Sequence, residues 1–168
     1  MPEQLPEFWM RGPVEGITPL LQPVAHTLHQ AREEVNQILA EFPEHKLWLK
    51  PDGMASVGFH VQHLRGVLDR LFTYARNEAL TDTKLKELKA EGVPSEATAA
   101  DMLRDLNAQV DRSLDQLRRT SAEDLLLPRG IGRKQIPSNV LGLLFHAAEH
   151  TMRHTGQLLV TARWVASI

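Results

Sequence analysis

Apolar residues recur every three or four positions in four long stretches of the chain, which is the period of one buried face of an α-helix. The first predicted helix runs from about Pro19 to Glu41, with Leu21, Val24, Leu28, Ala31, Val35 and Ile38 on one stripe. The second runs from about Met54 to Leu80, with Val57, His60, Leu64, Val67 and Leu71 on its stripe and His63 beside it. The third runs from about Ala97 to Arg119, with Ala99, Leu103, Leu106, Val110, Leu114 and Leu117 in line. The fourth runs from about Ser138 to Val165, with Leu143, Ala147 and Leu158 on the face expected to look inward.

Between these stretches the chain carries residues that stop helices. Pro43, Pro51, Asp52 and Gly53 separate the first two, and Ser56, Asp52 or Gly53 can each open the second helix as an N-cap. Gly92, Val93, Pro94 and Ser95 precede the third. Pro128, Gly130, Gly132 and Pro137 predict an irregular loop from Leu127 to Asn139, with Ser138 capping the fourth helix. The charged stretch Asp82 to Glu91 predicts a short surface helix. Ile131 to Ile136 alternates, but it is short and flanked by glycine, so no strand is predicted. The expected fold is all-α, a four-helix bundle formed as a single domain by residues 1–168. A long connection between helices 2 and 3 leaves room for a crossover.

Composition narrows the function. The formal net charge is -2 and the basic residues are scattered, so no nucleic-acid partner is expected. Arg118-Arg119 and the run Arg129 to Lys134 read as solvated charge at helix ends and loops. There is no cysteine, which excludes disulfides, thiolate metal sites and a thiol nucleophile of the protein's own. No stretch approaches the ~18 consecutive apolar residues of a membrane span, and the opening residues carry no apolar run. The expectation is a cytoplasmic protein with no membrane partner.

Three of the eight histidines, His146, His150 and His154, stand four residues apart in LGLLFHAAEHTMRHTGQLL. One helical turn separates each from the next, so their rings stack along one face. If that face is buried, each ring nitrogen needs a partner. A divalent metal meets that need, and His60 or His63 can supply a further ligand from the second helix. Three neutral imidazoles leave an open coordination position, as in catalytic rather than structural sites. Spacing alone prefers neither His60 nor His63, and neither the pair 146/150 nor 150/154. Without a metal, the same histidines would pair with carboxylates and carbonyls in a polar core.

The stretch HAAEHTMRHTGQLL resembles the fourth helix of the DinB-like (DinB/YfiT) superfamily, and SVGFHVQHLRG resembles its second, with Ser56 seven residues before His63. The opening FWMRGPVEGITPLLQPVAHTL is similar to the start of many members. The resemblance implies that His63, His150 and His154 hold the metal, with His60 and His146 in the surrounding pocket. Gly156 and Gln157 match the family's pattern, whereas Thr155 stands where arginine is frequent. A glycine in mid-helix is expected to mark a close helix contact beside the site. Glu149 is read either as an acceptor that orients a histidine or as a solvated charge.

Relatives of this kind include metal-dependent transferases that use small thiols such as mycothiol or bacillithiol. The resemblance therefore implies an enzyme in which zinc first, or nickel or iron, activates a low-molecular-weight thiol or a water against a small-molecule electrophile. The alternative is a non-catalytic metal-binding structural or stress-response module. A homodimer is expected from the architecture, although no heptad seam demands one. His60 and His146 are the candidate bases. His26, His29 and His45 are read as surface or packing residues.

Overall fold

The computed structural model describes residues 5–168 and forms a mostly helical bundle. Its elements run α1 (Gln22–Leu39), α2 (Val57–Ala75), α3 (Asp82–Ala90), α4 (Ala99–Arg119), β1 (Pro128–Ile131), β2 (Ile136–Asn139) and α5 (Val140–Ser167). The four long helices match the four apolar stripes, and α3 occupies the long connection between α2 and α4.

Caps set the ends of the helices. Ser56 opens α2, its hydroxyl accepting the Phe59 N–H at 3.1 Å. Asp52 and Gly53 lie in a separate 3-10 turn at positive φ, outside the helix they were expected to start. α2 stops at Ala75, short of the expected Leu80, and Asn77 follows at φ 63. Thr98 and Asp101 form a reciprocal capping box at the start of α4. Asn139, not Ser138, caps α5, because it is the Asn139 side chain that reaches the Gly142 N–H at 2.7 Å.

The expected irregular loop is in fact a β-hairpin. Its antiparallel register runs from Pro128 opposite Asn139 to Ile131 opposite Ile136. The turn places Gly132 at φ 65 and Gln135 at φ 49. Each strand has only four residues, too few for alternation to stand out in the sequence.

Chain neighbours are not the closest packing neighbours in the bundle. α2 packs mainly against α5 and α4, and α1 packs mainly against the same two helices. α1 and α2 thus lie on one diagonal and α4 and α5 on the other. Leu28 and Val35 of α1, Leu64 and Phe72 of α2, Leu114 of α4 and Leu144 of α5 meet in the core, all 2% exposed or less. The α2–α5 seam positions the histidines.

Candidate metal centre

The seam brings three imidazoles together. His63 of α2 and His150 and His154 of α5 each offer a ring nitrogen, and these atoms lie within 4.8 Å of one another. His63 Nε2 and His150 Nε2 are 3.0 Å apart. Two nitrogens bound tetrahedrally to one zinc would be about 3.3 Å apart, so this spacing is near the value required. Phe59, one turn before His63, stacks on its ring with centroids 5.2 Å apart and fixes the ring plane.

A carboxylate orients the His63 ring. His63 Nδ1 donates to Glu91 Oε2 at 2.7 Å, leaving the Nε2 lone pair directed at His150. Glu91 Oε1 accepts from Arg70 Nη1 at 2.5 Å, so the acid is held from both sides. Glu91 follows α3, and its side chain is only 9% exposed. Gly66 makes room for it: a methyl group there would collide with both Glu91 and Arg70. Gly92, at φ 82, donates its N–H to Gln62 and ties the crossover to α2. Sequence reasoning missed Glu91, reading it as the end of a solvated helix; no spacing to a histidine marks it.

His60 supports the site from behind. It is 4% exposed, and its Nδ1 lies 3.2 Å from His154 Nδ1. One of these nitrogens must donate and the other accept, which suits two neutral rings and not two charged ones. His150 Nδ1 is buried and has no hydrogen-bond partner. A buried ring nitrogen without a partner is costly, and an ion held between the two Nε2 atoms would leave this one unpaired.

The expected buried column does not form. His146 has a half-exposed side chain, and His150 and His154 are only partly buried. The histidines stand one residue before Ala147, Thr151 and Thr155, so their column lies about 100° round the helix from the buried stripe, on its flank. The buried face of α5 instead runs through Leu143, Ala147, Thr151, Thr155 and Leu158. Of the five histidines expected on or beside inward stripes, only His60 is fully buried. Glu149 accepts from His146 Nδ1 at 2.7 Å and from Arg153 at 2.6 Å, so it does orient a histidine, though at the helix surface. Gln157 is exposed and lies outside the cavity described below. Gly156 is exposed and a methyl group there would meet nothing within 4 Å outside its own helix backbone, so no close helix contact explains it. Thr155 is fully buried and its hydroxyl donates to the Thr151 carbonyl.

The protonation states follow from burial. Burial first, and then the neighbouring His63 and His150, push His154 down to about 4. Burial and His63 push His60 to about 4, and burial lowers His150 in the same way. Burial alone would raise the Glu91 carboxyl, but hydrogen bonds from His63 and Arg70 outweigh it and hold Glu91 below its usual range. At neutral pH His60, His150 and His154 are therefore neutral imidazoles, the state in which imidazole donates to a metal, and Glu91 is an ionised carboxylate.

His63 and His150 stand on the wall of a cavity of about 810 Å³ between α2, the crossover and the hairpin turn. His146, Tyr74 and Arg133 also face it, and Leu71, Leu85 and Leu88 give it an apolar side. The cluster is compatible with a divalent metal and lies beside space for a small molecule. The remaining histidines are elsewhere. His26 bonds the Gly12 carbonyl at 3.0 Å, His29 stacks on Phe8 at 4.7 Å, and His45 is exposed in the turn Glu44–Lys46.

This helical bundle and histidine cluster define a class, and comparison with known proteins names it. The model of the DinB superfamily matches residues 27–158, and the chain belongs to that superfamily. Among solved structures, a conserved protein from Enterococcus faecalis is similar with a TM-score of 0.70 and 19% identity, covering 90% of this chain and 99% of that one. No curated protein matches the chain. No helix among the described residues is long and apolar enough to cross a membrane.

Proposed function

We propose that the chain is a metal-dependent enzyme in which His63, His150 and His154 hold a divalent ion, zinc first. The reaction we assign is transfer of a low-molecular-weight thiol, or of water, to a small electrophile in the adjoining cavity. The observation that carries this reading is the position of two of the three imidazoles on the wall of a cavity large enough for both reactants. A divalent ion at this site supplies Lewis acidity, lowering the pKa of a thiol or water in its open position.

The protein's own groups do the rest. Glu91 keeps the proton of His63 on Nδ1, so Nε2 stays a donor to the ion. If His154 binds the ion through Nε2, the Nδ1 proton goes to His60, which gives that buried residue a role. His146 reaches the cavity and its Nδ1 is held by Glu149, so its Nε2 is free to take the thiol proton. That makes His146 the better candidate base, because His60 is buried behind His154. The sulfur then forms a bond to the electrophilic carbon, and the leaving group departs with its electron pair. Arg133, in no ion pair among the described residues, gives an anionic end of the substrate a partner.

Elemental analysis of protein purified without an affinity tag, followed by turnover of a panel of alkyl and aryl halides with several cellular thiols, tests the proposal. One divalent ion per chain, lost in His150→Ala, and thiol-dependent turnover, lost in His146→Gln with the metal retained, are expected. Metal-loaded protein that turns over nothing in the panel, with thiol or water, overturns the enzymatic reading and leaves a metal-binding module.

A further inference from the structure

The basic residues at the end of α4 and the start of the hairpin are more than solvated loop charge. Arg119 and Arg129, with Arg112, line a second cleft of about 630 Å³ bounded by α2, α4 and the junction of the hairpin with α5. No residue lines both this cleft and the cavity beside the histidines. Arg112 and Arg119 are two turns apart on α4 and share a face. Beside them Gln109 and Ser113, polar side chains that are only 4% and 1% exposed, line the cleft floor. Phe72 and Val140 give the floor an apolar part.

The charges around the cleft do not cancel. Lys84 is paired with Asp69 at 2.9 Å, Arg76 with Glu78 at 2.7 Å, and Asp115 is taken by Arg118 at 2.7 Å. Arg112, Arg119 and Arg129 have no carboxylate partner among the described residues, and Asp124 is the one lining acid left to oppose them. Neutral acceptors hold each guanidinium while leaving donors free. Arg112 uses Nε and Nη2 on Gln109 Oε1; Arg119 uses Nε on the Asp115 carbonyl. Arg129 uses Nε on the Ala75 carbonyl and Nη1 on the Pro128 carbonyl. Three positioned guanidiniums with spare N–H groups match the geometry by which arginine recognises phosphate or carboxylate groups.

We propose that this cleft binds a small organic anion bearing at least two negative charges. Its charged group lies on Arg112, Arg119 and Arg129, and a compact apolar body lies over Phe72 and Val140. The site is independent of the metal centre.

Calorimetric titration of the intact protein with phenyl phosphate and with phthalate, at low ionic strength, tests it. One-to-one binding of at least one probe is expected; preference for phenyl phosphate assigns a phosphate ester and preference for phthalate a dicarboxylate. Arg112→Gln with Arg119→Gln is expected to weaken binding by about tenfold or more, the value of one lost charge-assisted hydrogen bond. Arg119→Glu alone, at an exposed position, is expected to do the same without disturbing the core. Arg104→Gln, exposed on the same helix outside the cleft, and His150→Ala are expected to leave affinity unchanged. Failure of both probes to bind overturns the proposal. So does an equal loss in Arg104→Gln, which would mean non-specific charge, or a loss in His150→Ala, which would place the anion at the histidines.

Discussion

At the scale of single residues, the site depends on a glycine and an acid that are far apart in sequence. Gly66 leaves the space that Glu91 and Arg70 occupy, and Glu91 sets the tautomer of His63. Gly66→Ala is therefore expected to separate stability from binding. Alanine favours a helix over glycine by about 1 kcal/mol, and the atoms it would meet belong to movable side-chain ends. Melting temperature is expected to stay level or rise, while affinity for zinc falls about tenfold or more, the usual effect of losing an orienting acceptor. Glu91→Gln is expected to weaken zinc binding in the same direction without the steric change. Competition titration against a chromophoric chelator reads both, and wild-type affinity in the two variants would remove Glu91 from the site. The histidine spacing was legible in the sequence because one helix sets it. Glu91 was not, because its approach to His63 depends on how the crossover folds back, which no local periodicity encodes.

At the scale of elements, the helices were legible and the hairpin was not. The stripes of α1 and α4 each carry six apolar positions in register, enough in α4 to average out exceptions such as Gln109 and Ser113. The hairpin has four-residue strands and a turn built on positive φ at Gly132 and Gln135. That turn projects Arg133 toward the cavity. The inward face of α5 was misplaced by one position: the histidine column and the buried stripe through Ala147, Thr151 and Thr155 share the same four-residue repeat, so spacing alone does not separate them. The caps gave several equivalent starts, and only tertiary contacts chose among them. Asn139→Ala is expected to cost about 1 kcal/mol, since it removes the side chain that satisfies the Gly142 N–H at the start of the helix bearing two of the three histidines. Ser138→Ala is expected to cost much less, because Ser138 caps nothing. Urea unfolding of the two variants side by side measures the difference, and equal losses would return the cap to Ser138.

At the scale of the whole molecule, the buried imidazoles make the fold sensitive to acid. His29, His60 and His154 are each pushed from about 6.5 to about 4, in every case first by burial. His29 Nδ1 accepts from Arg32, and the Nδ1 atoms of His60 and His154 share one hydrogen bond, so all three rings are neutral when folded. Unfolding restores their ordinary pKa, so below about 6.5 the unfolded chain takes up protons that the folded chain does not. By linkage, stability is full above pH 7, falls continuously as pH drops from about 6.5 to about 4, and loses nothing further from these groups below that. The carboxylates act in the same direction at still lower pH, because Glu91 and Asp101 are held below their usual values. Urea midpoints measured from pH 7.5 to 4.5 are expected to decline, and less steeply in His29→Gln, which removes one of the titrating rings away from the candidate metal centre. Saturating zinc is expected to raise the midpoint at pH 7, because an ion bound only by the folded state stabilises it. That gain is expected to hold to about pH 5 and to shrink only as pH approaches 4, where the folded His154 takes up a proton that competes with the ion. A midpoint unchanged by pH would mean that these rings are solvated and titrate alike in both states. A zinc effect undiminished at pH 4 would mean that the ion binds through groups other than imidazole.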